Sequence, residues 1–273
     1  MNTDNTHPTP KIMGILNITP DSFSDGGNFL SIDAAIKRVQ QMINEGADII
    51  DIGGESTRPG AQPVSTQEEL DRVIPILAKI RAEYPITLSV DTNKAEVMQA
   101  AIAAGADMIN DVTALRSEGS LATVAAFDKV QICLMHMQGE PRTMQQNPQY
   151  NDVINDIKTF LLQRIQACLA VGIAPHRILI DPGFGFGKTV AHNLLLMQKL
   201  TEFTQLGYPV VVGISRKTMI GHVLNKPVTE RLHGGIALAV LAVTKGARII
   251  RTHDVAATVE ALKMACAVLQ TSN

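Results

Sequence analysis

Glu45-Gly-Ala-Asp-Ile-Ile-Asp51, Ala104-Gly-Ala-Asp-Met-Ile-Asn110 and Lys245-Gly-Ala-Arg-Ile-Ile-Arg251 are three copies of one local design. In each, a glycine follows a helical stretch and offers the left-handed backbone that ends a helix, and a short apolar run follows at once. Gly172 and Gly207 repeat the device after two further helical stretches. A helix-to-strand switch that recurs along one chain marks a parallel α/β fold.

Outward from these copies, eight β-branched apolar runs alternate with amphipathic stretches. The runs are Ile12–Ile18, Ile49–Gly53, Ile86–Asp91, Met108–Val112, Gln131–Met137, Ile178–Pro182, Pro209–Ser215 and Arg248–His253. Their near-continuous apolar character suits parallel strands buried on both faces, and no two are joined by a hairpin turn. Among the helices, Ser65 with Glu68 fits a capping box and Asn93 with Glu96 its asparagine variant. Ile32, Ala35, Ile36, Val39, Met42 and Ile43 trace one helical face; Ile154, Ile157, Leu161, Ile165 and Cys168 trace another. Eight βα units without a compositional break predict an α/β fold, a single (β/α)8 TIM barrel over residues 11–270 behind a polar tail at residues 1–10. A doubly wound open sheet stays open as the alternative, because pattern does not show closure.

Composition narrows the function. The chain has 273 residues, 45% hydrophobic and 18% charged, enough to bury a substantial core. Its 24 Lys and Arg against 26 Asp and Glu leave a net charge of −2, which argues against a nucleic-acid surface or a polybasic membrane surface. With no Trp, 3 Tyr and 7 Phe, a base-stacking platform is not expected either. Cys133, Cys168 and Cys266 form no CxxC pair and read as buried, inert thiols of a reducing compartment. No apolar run reaches the ~18 residues of a membrane span. Residues 1–10 lack the apolar core of a signal peptide, so a soluble cytoplasmic protein is expected.

Polar residues gather at the C-terminal ends of the apolar runs: Asn17, Asp51, Asp91, Asn110 with Asp111, His136, Asp181, Ser215 with Lys217, and Arg251 with His253. In a barrel these ends meet at one mouth, where active sites are built. The loops Asn17-Ile-Thr-Pro-Asp-Ser-Phe-Ser-Asp-Gly-Gly-Asn-Phe29 and Gly53-Gly-Glu-Ser-Thr-Arg-Pro-Gly-Ala61 are longer than the usual ~2–6 residues. Turn chemistry accounts for their glycines and prolines but not for Arg58 beside hydroxyls. Asp181-Pro-Gly-Phe-Gly-Phe-Gly-Lys188 is glycine-rich yet lacks the full GxxxxGK[ST] pattern of a P-loop.

Charge sorting among these residues points to a two-ended ligand. Asp91, Asn110 and Asp181 suit a flat heterocycle with amino and ring N–H donors. Arg58, Lys217, Arg251 and His253 suit a phosphate or carboxylate, helped by a helix that opens after Ser215-Arg-Lys217. The 7 histidines show no HxH or HExxH spacing, so zinc is not expected. Mg²⁺ held partly by phosphate oxygens needs few protein ligands, and Asn17 suits one.

These segments resemble the dihydropteroate synthases. Ile15-Leu-Asn-Ile-Thr-Pro-Asp-Ser-Phe-Ser-Asp-Gly-Gly27 and Asp51-Ile-Gly-Gly-Glu-Ser-Thr-Arg-Pro-Gly60 are similar to the family's two signature stretches. The likeness continues, in order, through Ser89-Val-Asp-Thr, Ile109-Asn-Asp, Met135-His-Met, Asp181-Pro-Gly-Phe-Gly-Phe-Gly-Lys, Gly213-Ile-Ser-Arg-Lys and Ile250-Arg-Thr-His-Asp. It implies a pterin-binding (β/α)8 enzyme of folate biosynthesis. Such an enzyme joins 6-hydroxymethyl-7,8-dihydropterin pyrophosphate to p-aminobenzoate, giving 7,8-dihydropteroate and pyrophosphate. The resemblance assigns Asp91, Asn110, Asp181 and Lys217 to the pterin, with Met135, Phe186 and Arg251 around its ring. Asn17, Arg251 and His253 fall to the pyrophosphate and Mg²⁺, with Asn17 as the metal ligand. Phe23, Thr57, Arg58, Pro59 and Ser215 fall to p-aminobenzoate. It further implies a homodimer, and sulfonamide inhibitors that compete with p-aminobenzoate.

Two rivals bear on the same residues. A Schiff-base aldolase would use Lys217 as nucleophile, but nothing else in the sequence favours imine chemistry. A domain presenting methyltetrahydrofolate to a corrinoid partner would share the acidic end of the mouth. It has no need of a pyrophosphate site, whereas Arg58, Arg251, His253 and the two long loops suit one.

Overall fold

The computed structural model describes residues 9–18, 28–56, 60–140 and 142–271, with the side chains of residues 28–31 excepted. The chain runs β1 (Lys11–Asn17), α1 (Asn28–Asn44), β2 (Ile49–Gly53), α2 (Thr66–Glu83), β3 (Thr87–Asp91) and α3 (Ala95–Ala103). It continues through β4 (Met108–Asp111), α4 (Ser120–Ala125), β5 (Gln131–Met135), α5 (Val153–Ala170), β6 (Ile178–Asp181), α6 (Val190–Gln198) and α7 (Thr201–Thr204). Last come β7 (Val211–Gly213), α8 (Thr218–Leu224), α9 (Leu232–Thr244), β8 (Ile249–Thr252) and α10 (Val255–Leu269).

Each expected run holds one strand: Ile49–Gly53 matches to the residue, the first strand starts one residue early at Lys11, and the others are shorter than expected. Pro209–Ser215 contracts to Val211–Gly213 because Pro209 has no N–H to give a ladder, while the last residues turn out toward the mouth. All strands pair in parallel, in the order β6-β5-β4-β3-β2-β1-β8-β7. A parallel bridge between Ile180 and Val210 joins the two ends of that order, and Ile180 N donates to the Pro209 carbonyl at 3.0 Å. The sheet is therefore a barrel, and the open-sheet alternative falls.

Register decides what faces inward. Pairing of Met13 with Ile49, Met108 with Gln131, Cys133 with Leu179 and Val211 with Ile249 sets one layer across the barrel floor. Met13, Ile49, Met108, Cys133, Leu179, Val211 and Ile249 pack there as a separate apolar cluster. Because side chains alternate along a strand, the residues two further on face the same interior, nearer the mouth: Ile15, Asp51, Asn110, Met135, Asp181 and Arg251. A larger cluster fills the space between barrel and helices. Gly14 belongs to that outer layer, where a Cβ would sit 2.7 Å from Met42 Sδ and 3.2 Å from Val255 Cγ2, so α1 and α10 press close on β1.

Gly46, Gly105 and Gly246 adopt φ of 98°, 101° and 94°, as the three repeated segments require. Helix starts agree less well. Ser65 Oγ accepts from Glu68 N at 3.2 Å, but the Glu68 carboxylate pairs with Arg72 instead of closing the box. Asn93 is not a cap at all: Lys94 precedes α3 without a side-chain bond, and the Asn93 carbonyl accepts from Ser120 Oγ at 3.3 Å. The complete box belongs to Thr189 and His192 at α6, where an imidazole takes the place of the usual carboxylate.

Candidate active site

The strand ends deliver a ring of charged side chains to the mouth, and they interlock. Arg251, from β8, donates through Nε to Asp51 Oδ2 at 2.6 Å and through a terminal nitrogen to Asp91 Oδ2 at 2.8 Å. Asn110 Nδ2 donates to the same Asp51 oxygen at 3.3 Å. The other oxygen, Asp51 Oδ1, and the neighbouring Ser89 Oγ are buried with no protein partner. Asp181 Oδ1 accepts from Gly183 N at 2.7 Å, which fixes its carboxyl at the turn out of β6. Lys217 lies with Nζ 4.1 Å from the centre of the Phe186 ring. Met135, Phe186, Val112, Met137 and Met144 form one apolar cluster beside these charges.

Burial sets the protonation of this group. It raises Asp91 to about 7, with Arg251 opposing and Asp51 adding to the rise. It raises Asp181 to about 6, against the Gly183 hydrogen bond and Lys217. Burial and then Arg251 pull Lys217 down to about 8, with Asp181 and Asp91 opposing. Burial also works against charge on Arg251, yet Asp51 and Asp91 hold its guanidinium protonated more firmly than usual. Near neutral pH the site is thus poised to exchange protons and hydrogen bonds with a ligand.

Beside this group, His253 and Ser215 meet across β8 and β7. Ser215 Oγ accepts from His253 N at 3.2 Å and lies 3.1 Å from its Nδ1, while Arg38 donates to the His253 carbonyl at 2.9 Å. A cavity of about 520 Å³ lies alongside, lined by Arg38, Arg216, His253 and Asp254 among others. Arg216 is tied to Asp254 by an ion pair.

The model of the pterin binding enzyme family matches residues 13–253, the whole span that carries these side chains. The chain belongs to the pterin-binding enzyme family. A relative named dihydropteroate synthase, from Haemophilus influenzae, is 54% identical over 255 residues, covering 93% of this chain and 92% of its own. Two solved structures are similar throughout. One is the Yersinia pestis dihydropteroate synthase in a sulfonamide drug complex, at TM-score 0.92, 48% identity and coverage of 97% of this chain and 96% of that one. The other is the Xanthomonas albilineans dihydropteroate synthase with 4-aminobenzoic acid, at TM-score 0.92, 48% identity and coverage of 97% and 95%.

Within the family frame, the expected site residues divide in two. Asn17, Asp91, Asn110, Met135, Asp181, Phe186, Ser215, Lys217, Arg251 and His253 all come to the mouth end of the barrel. Phe23, Thr57, Arg58 and Pro59 lie outside the described residues. The separation into an acidic and a cationic end is less clean than charge sorting alone expects, because Arg251 sits between Asp51 and Asp91. Asp51, named at a strand end, is left without a role by sequence reading. Its signal was there, a carboxylate at a strand end, but its partner is 200 positions away and only the register shows it.

Proposed function

We propose that this chain condenses 6-hydroxymethyl-7,8-dihydropterin pyrophosphate with p-aminobenzoate, releasing pyrophosphate and forming 7,8-dihydropteroate. The observation that supports this best is the interlocked set Asp51, Asp91, Asn110 and Arg251, with Asp181 fixed by Gly183 and Lys217 over the Phe186 ring, beside an apolar cluster of three methionines, a valine and a phenylalanine, in a chain of this family. Two buried carboxylates suit the amino and ring N–H groups of a pterin, and an ammonium suits its carbonyl or ring nitrogen. Met135 and Phe186 supply flat apolar contact, and the Arg251 guanidinium supplies a planar cation for the ring face.

His253 and Arg251 then receive the pyrophosphate, whose departure they favour by stabilising the charge that develops on it. Asn17, half-buried at the end of β1, offers a hard amide oxygen to Mg²⁺. Among the described residues no group of three His, Cys, Asp or Glu could cage a metal, which fits an ion held mainly by substrate oxygens. Bound there, Mg²⁺ supplies further neutralisation of the leaving group. The substitution itself takes place at the exocyclic methylene, and the free arylamine attacks without a strong general base once it is held in line.

Phe23, Thr57, Arg58, Pro59 and Ser215 form the p-aminobenzoate subsite in this reading, and sulfonamides compete for it. The enzyme works in the cytoplasm, where its 3 cysteines stay reduced, and no helix among the described residues is long and apolar enough to cross a membrane. It works as a homodimer. Support for that comes from the adjoining helices α9 and α10, which expose Leu241, Met264 and Val268.

The deciding experiment measures pyrophosphate release with each component omitted in turn. Release should require dihydropterin pyrophosphate, Mg²⁺ and p-aminobenzoate together. Release that ignores p-aminobenzoate would sink the reading, and so would sulfonamide inhibition unmoved by raising p-aminobenzoate.

A further inference from the structure

Beneath the mouth lies a second charged group with no part in the chemistry above. Lys188, the last residue of the glycine-rich turn, is only 2% exposed. Its ammonium has three acceptors for its three N–H groups: His136 Nδ1 at 2.9 Å, the Phe186 carbonyl at 3.1 Å and the His136 carbonyl at 3.5 Å. His136 in turn donates its backbone N–H to the Asp181 carbonyl at 3.0 Å. Its imidazole is buried, and that burial with the nearby Lys188 charge pushes it down to about 2, so it stays a neutral acceptor. Phe160 packs edge-on against the ring at 4.9 Å.

The two backbones joined by this amine touch without spacing. A Cβ on Gly183 (φ +74°) would lie 1.9 Å from the His136 carbonyl oxygen, and one on Gly187 (φ +63°) 2.4 Å from the Gln138 carbonyl oxygen. One segment carries Met135 and the other carries Asp181 and Phe186, three of the residues assigned to the pterin. We infer that Lys188 is a positioning residue for the pterin subsite, its buried ammonium clamping the turn that follows β6 onto the end of β5. Burial draws this amine down to about 7, with Asp181 favouring and Lys217 opposing its charge, so the clamp works at the margin of its protonation. Its hydrogen bonds go to the residues that follow β5 and β6, which carry the pterin contacts, so its effect should fall on the pterin.

This inference rests on the proposed function, and the wild-type enzyme separates the two. No pterin-dependent pyrophosphate release in the wild type defeats the function itself, before any variant is compared. Given that activity, Lys188→Met should raise KM for dihydropterin pyrophosphate about ten- to a hundredfold, as loss of charge-assisted hydrogen bonds does. KM for p-aminobenzoate and kcat at saturating pterin should stay within about threefold. Lys188→Gln, which keeps two N–H donors without the charge, should fall between Met and wild type. An unchanged pterin KM in Lys188→Met overturns the inference. So does a comparable rise in both KM values with a fall in kcat, or a barrel that fails to fold with either residue, since each makes Lys188 a general structural requirement.

Discussion

Arg251 and Asp51 need each other before either meets a substrate. Asp51 is fully buried, and a charged carboxylate there is tolerable only beside a cation. Arg251→Ala should therefore cost stability as well as activity, about 3–5 kcal/mol by the usual penalty for stranding a buried charge. Adding Asp51→Asn removes the stranded charge, so the double variant should recover much of its melting temperature while activity stays at least about 100-fold down. Thermal melts and pyrophosphate release on the three variants check this. Recovery of activity along with stability would show that Arg251 serves the fold alone.

The titrations give a second test at this scale. Asp91 and Asp181 are raised to about 7 and about 6, so these two carboxyls hold more protons in the folded protein than in the unfolded chain between about pH 4 and 7. Their contribution to stability without ligand should then fall as pH rises through that window, against an opposite contribution from the buried, neutral His136. Pterin donors favour the ionised carboxylates, and the Lys217 ammonium is lost above about 8. Pterin affinity should accordingly rise through pH 6–7 and decline above 8, a bell that belongs to the coupled group and not to one residue. Calorimetric titration across pH 5–9 checks it, and Asp91→Asn should alter the acidic limb. These residues were legible in sequence as polar ends of apolar runs. Their pairings were not, because Arg251 meets Asp51 and Asp91 only through the register of β8, β1, β2 and β3.

Among the elements, strands were easier to read than helix starts. A buried parallel strand needs a continuous apolar run, and each of the eight announces itself by composition. A cap depends on where the first turn begins and which side chain reaches back: α3 starts behind Lys94, one residue past Asn93, and His192 completes a box that carboxylate rules pass over. The glycines allow a graded test of these elements. Gly183→Ala places a methyl on the His136 carbonyl at a positive φ, so it should lose about 3 kcal/mol or more and most pterin binding. Gly14→Ala meets mainly the flexible Met42 thioether, so it should cost about 1–3 kcal/mol and leave pterin affinity alone. Denaturant melts with pterin titrations rank the two, and the reverse order would contradict the backbone contact at Gly183.

At the scale of the molecule, near-zero net charge conceals a strong local charge at the barrel mouth, where Asp51, Asp91 and Arg251 pair. Exposed apolar side chains lie on several helices away from the mouth, and Leu241 on α9 with Met264 and Val268 on α10 carry the dimer prediction. Met264→Glu with Val268→Glu should shift the protein to monomers in sedimentation velocity while the isolated barrel stays folded, because both side chains are more than two-thirds exposed, at 68% and 71%. A wild type already monomeric at micromolar concentration would remove the need for such an interface.

The barrel is least firmly sewn between β6 and β7, where a single bridge stands in for a ladder. That weak stave separates Asp181 at the end of β6 from Ser215 and Lys217 beyond β7. A pterin held by Asp181 on one side and Lys217 on the other would span the split like a staple. Its binding should then tighten the whole ring, and amide exchange at Ile180 should slow on loading far more than at the laddered strands opposite.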